Sequence, residues 1–319
     1  MTTVVVPTVG RPSLRALLDA LASQRCDGLE VLVVDDRPGG GPPLDVPGFV
    51  RVLRGPAAGP AAARNVGWRA AGDGWVAFLD DDVLPDPDWV RRLWADIEVA
   101  GKIGGVQGRL RVPLPDGRRP TDWERVTAGL ASGRWITADM AYRRAALEAV
   151  GGFDERFPRA FREDAEIAYR VRAAGWELAV GSRSVIHPVR AESAWVSLRT
   201  QRGNADDALL RRLYGPPWRE LLDVPRGRRR RHVAVTACGV AALAMAAAGR
   251  RRAAALVALG WAAGTADLAW ARIAPGPRTS REVAVMIATS AAIPPAATIH
   301  WLRGWWSARD ARPGRTGSR

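Results

Sequence analysis

Three apolar runs, TVVVPTV, LEVLVVDD and WVAFLDDD, limit what this chain can fold into more than any other feature. Each is short and rich in β-branched residues, so each reads as a buried strand. Segments of helical character lie between them. SLRALLDALASQ places leucines at 14, 17, 18 and 21 behind Ser13, and PAAARNVGWRAA precedes the third run. Strands separated by helices imply parallel strands, because each crossover must pack back over one face of the sheet. The first 190 residues are therefore expected to form an α/β, doubly wound sheet. In such sheets the ligand sits beyond the carboxyl ends of the strands.

The second and third runs end in acids. Asp35 and Asp36 close one, and Asp80, Asp81 and Asp82 close the other, so both groups are expected at one sheet edge, beside Pro7 and Thr8 from the first run. Like charges crowded at the lip of a core raise one another's pKa unless something positive is held between them. Alone, a triplet of acids reads equally as a solvated loop. No glycine-rich phosphate cradle follows the first strand, since PTVGRPS lacks the spacing of a dinucleotide fingerprint or a P-loop. A divalent cation bridging carboxylates to phosphate oxygens would do that work, and oxygen ligands favour Mg or Mn.

With 319 residues, 47% of them hydrophobic, the chain can bury a substantial core. Its net charge of +14 resembles a nucleic-acid signal until it is divided along the sequence. Residues 1–225 carry 31 Lys and Arg against 30 Asp and Glu, a balance of +1, while residues 226–319 carry 16 against 3, a balance of +13. The basic excess belongs to the C-terminal third, and no nucleic-acid partner is expected. Cys26 and Cys238 lie far apart and support neither a disulfide framework nor a thiolate metal cluster; both read as reduced packing residues. The N-terminus enters an apolar run without a basic leader or cleavage site, so the first domain is expected in the cytoplasm.

From RGRRRR at 226–231 onward, apolar stretches at roughly 232–248, 253–271 and 282–302 alternate with arginine clusters. Each is near the about 17 to 25 residues that span a bilayer as a helix. Asp267 interrupts the second, Pro294 and Pro295 interrupt the third, and arginines flank every segment, so no threading satisfies the positive-inside rule cleanly. Two spans and one interfacial segment would keep both ends cytoplasmic; an alanine-rich helical subdomain packed on the first domain is the competing reading. Trp301, Trp305 and Trp306 would suit a headgroup layer. The expected organisation is a domain over 1–225, a basic and hydrophobic helical region over 226–302 that associates with the cytoplasmic face of the cell membrane, and a disordered basic tail over 303–319.

VVVPTVGRPSLRALLDAL, VLVVDDRP, AAARNVGWRAA, VAFLDDDVLP, GGFDERF and REDAEIAYRVRAAGW occur in an order and spacing that resembles family 2 glycosyltransferases of GT-A fold, over roughly residues 1–215. The resemblance implies a mixed GT-A sheet and inverting, metal-dependent sugar transfer from a nucleotide-diphosphate sugar to a hydroxyl acceptor. It assigns Pro7, Thr8, Asp35 and Asp36 to the nucleobase and Arg64 and Asn65 to the vicinity of the nucleotide. Asp80 and Asp82 fit its Asp-X-Asp motif, Asp80 facing the ribose or metal and Asp82 ligating Mn or Mg, with Asp81, grouped with the nucleotide-sugar-binding residues, as the variable middle residue, solvated and lost with less effect. Asp139 falls near the transferring sugar. Glu163 and Asp164 match the catalytic pair, with Asp164 as the base and Glu166 helping to orient it, although the same acids would also cap the following helix. His187 matches a third metal or diphosphate contact, and Arg199, Gln201 and Arg202 fall where relatives approach the diphosphate or acceptor. Gln201 is followed by Arg202, Gly203 and Asn204, which departs from the Gln-X-X-Arg-Trp of processive synthases and argues for single addition.

A membrane-attached tail beside a cytoplasmic site suggests a lipid-linked or cell-envelope glycan acceptor. Two other classes compete. A nucleotidyltransferase would carry a glycine-rich basic signature after the first strand, which PTVGRPS does not supply. A catalytically inactive membrane-bound scaffold would tolerate loss of the acids, all of which are present.

Overall fold

The computed structural model describes residues 2–24, 27–98 and 101–312; Cys26 and the end of the basic tail lie outside them. Strand β1 (Thr2–Thr8) leads into α1 (Ser13–Ala22), β2 (Leu29–Asp35), β3 (Val50–Arg54), α2 (Pro60–Ala70) and β4 (Trp75–Leu79). The three apolar runs are strands and both segments of helical character are helices. Then come β5 (Leu84–Pro85), α3 (Trp89–Ile97), β6 (Ile103–Arg111), α4 (Asp122–Ala128), β7 (Asp139–Arg143), α5 (Arg144–Val150), α6 (Glu163–Ala173) and β8 (Glu177–Ile186). Short helices α7 (Val196–Arg199), α8 (Asn204–Tyr214) and α9 (Trp218–Leu221) precede three long ones, α10 (Arg229–Ala247), α11 (Arg251–Ile273) and α12 (Ser280–Ser307).

The sheet order is β3-β2-β1-β4-β7-β6-β8-β5. The β3, β2, β1 and β4 strands are parallel, β7 runs antiparallel to both its neighbours, β8 is parallel to β6, and β5 is antiparallel to β8. The sheet is thus mixed, with the parallel half carrying the acids. Side chains alternate across β1: Val4 and Val6 pack on the leucines of α1, while Val5 faces the core beneath α2. Both faces are covered, which is why these strands read as continuous apolar runs. Helix α2 lies close to β1 because its inner face is small; a Cβ on Gly67 would stand 2.2 Å from Val5 Cγ1. Parallel pairing of β1 with β4 sets Val5 opposite Phe78. Continued three residues, that register brings Thr8 level with Asp81 at the carboxyl edge.

The long C-terminal helices pack on this domain by one side. Arg272, buried near the end of α11, donates to Asp122 Oδ2 of α4 (2.8 Å), Thr289 Oγ1 (2.8 Å) and Ser290 Oγ (3.0 Å) of α12, and Ser197 Oγ of α7 (2.8 Å). Helix α12 crosses α8 at Gly304, where an added Cβ would meet Ala205 Cα at 2.5 Å. Asp267 is paired with Arg228 (3.1 Å) and Arg231 (3.4 Å), so the acid in the second apolar stretch has partners. Helix α12 runs continuously through Pro294 and Pro295 and past residue 302, with Trp301 stacked on Trp305 and the Arg212 guanidinium over Trp305. Residues 303–307, expected in a disordered tail, are therefore helical. Opposite the docked side the helices are bare: Leu243 is 74% exposed, Leu256 70% and Trp306 71%. By length and composition, α11 and α12 are apolar enough to cross a membrane.

Candidate active site

One cavity of about 1230 Å³ opens at the carboxyl edge of the sheet. Pro7, Thr8, Asp36, Arg64, Asp80, Asp81, Asp82, Glu163, Asp164 and His187 line it, so residues from six separate stretches of sequence converge there. Parallel pairing explains the first group, since β1, β2 and β4 all end at this edge. The N-terminus of α6 supplies Glu163 and Asp164 from the other side.

Arg64 of α2 joins the two groups. It is buried, and its guanidinium donates to Asp80 Oδ1 at 2.8 Å and to Glu163 Oε1 at 2.9 Å. Glu163 Oε2 is buried with no protein partner. Burial first, and then the neighbouring Asp164, push Glu163 up to about 8. Asp164 is half-buried, accepts the Ala165 N–H at 2.7 Å, and is raised above the ordinary aspartate range, chiefly by burial.

The triplet divides differently from the sequence expectation. Asp81, expected to be solvated, is 1% exposed, accepts from Thr8 Oγ1 at 2.6 Å and pairs with Arg11 at 2.5 Å. It welds the ends of β1 and β4 together. Asp82 faces Arg190 Nε at 3.1 Å and His187 Nε2 at 3.7 Å, and burial followed by repulsion from Asp80 raises it. Asp36 lines the cavity while its carboxylate accepts backbone N–H groups of Ala57 (2.7 Å) and Gly59 (2.9 Å), fixing the loop into α2.

Several expected site residues do not reach the cavity. Asp35 turns to Arg37 (2.8 Å) and Arg54 (3.2 Å), which hold it below the usual range. Asn65 is buried and accepts the Phe153 N–H (2.9 Å) and Trp68 Nε1–H (2.8 Å) while donating to the Phe153 carbonyl (2.9 Å). It fastens the GGFDE turn to α2 and is structural. Asp139 is fully buried at the start of β7, paired with Arg183 (2.7 Å) and accepting from Trp89 Nε1 (2.9 Å), so no sugar reaches it. Glu166 is closed off by Arg170 (2.6 Å) and Tyr214 (2.6 Å). Arg199 pairs with Glu192 outside the cavity and Arg202 also lies outside it, whereas Gln201 does line it.

Sequence reasoning missed Arg11, Arg190 and a cluster of arginines at the far end of the cavity. Arg190 follows His187 by three residues on the segment leaving β8, but only the fold shows that this segment returns to the end of β4. Among the described residues no three His, Cys, Asp or Glu converge as a ready-made metal cage. A donor set of one carboxylate and one imidazole, next to two further acids and open to the cavity, does fit a cation that brings its remaining oxygen ligands from a bound diphosphate.

This fold and this edge of acids facing a helix N-terminus define a GT-A type transferase. The chain belongs to Glycosyl transferase family 2, which matches residues 3–165. It is 34% identical over 198 residues to the pre-mycofactocin glycosyltransferases of Mycobacterium tuberculosis strains CDC 1551 / Oshkosh and ATCC 25618 / H37Rv. The match covers 55% of this chain and 40% of those relatives, so it spans less than half of their length. Among solved structures it is similar to a mannosyltransferase from Pyrobaculum calidifontis in complex with GDP-Man and Mn2+, with a TM-score of 0.54 and 21% identity over 94% of this chain and 86% of that one. At that identity the likeness is one of fold.

Proposed function

We propose that this family member transfers a sugar, with inversion, from a nucleotide-diphosphate sugar to a hydroxyl acceptor, assisted by Mn or Mg. One observation carries the reading: buried Arg64 ties Asp80 at the end of β4 to Glu163 at the start of α6, holding the donor-side acids and the base-side helix in one frame across a single cavity. Pro7, Thr8 and Asp36 form the end that receives the nucleobase. Asp80 and Asp82 face the ribose and diphosphate, and Arg190 adds a guanidinium beside them. Asp82 and His187 would hold the divalent cation, which supplies Lewis-acid stabilisation of charge on the departing diphosphate.

Asp164 acts as the base. The acceptor hydroxyl oxygen bonds to the anomeric carbon from the face opposite the diphosphate, the bond to the diphosphate oxygen breaks, and the hydroxyl proton passes to Asp164. A carboxylate within hydrogen-bond reach contributes about 100- to 10,000-fold to such a step. Its raised pKa strengthens it as a base, and Glu163, held mostly protonated below about pH 8, adds no second charge beside it. Inversion follows from a single displacement with no covalent sugar intermediate.

The bare faces of α11 and α12 support attachment to a membrane, taken here as its cytoplasmic face, and with it an acceptor drawn from lipid-linked or envelope glycans. The named relatives add pre-mycofactocin to the acceptor panel. Incubating the full chain with a series of nucleotide sugars and Mn, and following free nucleotide diphosphate, tests the proposal. Metal-dependent release abolished by Asp82→Ala and by Asp164→Asn is expected. Unchanged turnover in both variants would refute the site assignment, and absence of release from every donor would favour an inactive scaffold. Release of pyrophosphate from a nucleoside triphosphate and sugar phosphate would instead identify a nucleotidyltransferase.

A further inference from the structure

We propose that the cavity contains a second, anion-binding subsite, formed by Arg162, Arg219 and Arg229 beyond Asp164, that receives a phosphate group carried by the acceptor. The assignment to the acceptor side rests on the transferase reading above. All three arginines line the same cavity as the acidic edge.

Ion pairs give the order of groups through the cavity. Asp82 meets Arg190; Asp80 meets Arg64; Arg64 meets Glu163; Asp164 follows. Next comes Arg162, which pairs with Asp207 at 2.8 Å, and Asp207 pairs in turn with Arg219 at 2.6 Å. Arg229, in the first turn of α10, completes the series, stacked at 4.7 Å over Trp301 and without a carboxylate partner among the described residues. The cavity is therefore acidic at the sheet edge and basic at the helical end, with Asp164 between. A donor diphosphate and its cation belong to the first end, and an acceptor reaching Asp164 from the other side must pass the second.

Charge fixes the class of group. Three guanidinium groups face one carboxylate, Asp207, leaving two positive charges in excess. A phosphate monoester carries about −1.5 to −2 near neutral pH and offers several acceptor oxygens, so it matches that excess where a single carboxylate would meet half of it. Guanidinium forks bind phosphate bidentately. Burial holds Arg219 below the ordinary arginine range against the opposing pull of Asp207, and burial followed by repulsion from Arg211 and Arg230 does the same to Arg229, a condition an anion relieves. Arg162 also has a left-handed backbone, φ 78°, a conformation that a non-glycine residue keeps only where its surroundings demand it. Its guanidinium lies 4.3 Å from the centroid of the Phe161 ring, which also lines the cavity.

The phosphate can arrive on a membrane amphiphile, since Arg229 opens the first of the long apolar helices, or on a soluble molecule. Titration calorimetry on the full chain in a neutral detergent separates these. Dodecyl phosphate and phenyl phosphate are the probes, with dodecanol and phenol as uncharged counterparts. Each phosphate is expected to bind at least about tenfold more tightly than its counterpart, and Arg229→Gln or Arg219→Gln to weaken it by about tenfold, the equivalent of about 1.4 kcal/mol. Arg229→Lys should restore most of the affinity. A dodecyl phosphate preference of about 100-fold over phenyl phosphate identifies a lipid-borne group, and equal affinity identifies a soluble phosphorylated acceptor. Should Arg219→Gln fail to fold, the Gln and Lys variants of Arg229 carry the test. Phosphates that bind no better than their counterparts, or that bind wild type and Arg229→Gln alike, overturn the subsite. Metal-dependent donor hydrolysis by the wild-type preparation scores the transferase reading separately, so hydrolysis without phosphate binding removes only the subsite.

Discussion

Arg64 spans Asp80 and Glu163 from inside the protein, and its loss would take the guanidinium donor away from both. Arg64→Met is expected to cost about 1.5–3 kcal/mol in stability, read by denaturant unfolding, and to abolish donor hydrolysis. Glu163 carries a second prediction. Its folded pKa lies near 8 against an ordinary 4.5, so the folded state binds its proton more tightly than the unfolded one. The resulting stabilisation is greatest below pH 4.5 and is lost as pH rises to about 8. In the absence of donor and cation, Glu163→Gln should therefore gain in melting temperature relative to wild type between pH 5 and pH 9; a constant difference would refute the shift. Asp164 must be ionised to accept a proton, and burial raises its pKa, so transfer should increase with pH through a midpoint above the ordinary aspartate value of 3.8. At this scale the sequence exposed the identities of the site acids and little of their partners. Asp81 looked like a spare charge because nothing local announces that β1 delivers Thr8 and Arg11 to it. Asp139 looked available because a strand start and a loop read alike; pairing with Arg183, 44 residues away, took it into the core.

Elements were legible where a local period decides them. The strands β1, β2 and β4 and the helices α1 and α2 each carry a pattern of burial that one window of sequence reveals. Strand β3 does not, since VRVLR at the sheet's edge is half-exposed and breaks the apolar run. Antiparallel insertion of β7 between β4 and β6 depends on long-range pairing and left no local mark. The GGFDE turn shows how an element can be fixed by one contact: a Cβ on Gly152, where φ is +78°, would stand 2.5 Å from both Asn65 Oδ1 and Trp68 Nε1. Gly152→Ala should destabilise the domain by about 1–3 kcal/mol through overpacking and strained backbone, measured by thermal unfolding. Gly304 makes a similar demand on α12, which the sequence presented only as one more apolar stretch. Gly304→Val should lift α12 off α8, seen as faster proteolysis in the C-terminal helices with the catalytic domain intact.

Over the whole molecule, charge and hydropathy divide the chain into an electrically balanced front and a basic, apolar rear. They do not say whether the rear meets a bilayer or the front, because alanine-rich helices suit both. Arg272 and Gly304 bind the helices to the domain, and Leu243, Leu256 and Trp306 remain bare. Liposome flotation at high salt distinguishes apolar insertion from attraction between arginines and headgroups. At about 1 M salt, where screening acts within about 3 Å, insertion predicts that the chain still floats. Loss of flotation would leave a surface contact alone. The clasp around Arg272 has a geometric consequence. If the bare face rests in a bilayer, Asp164 stands at a constant height above it, and the enzyme works as a gauge. An anchored acceptor presents its hydroxyl at that height once. Each added sugar carries the next hydroxyl out of range, so chain length would be limited by altitude without any device for counting.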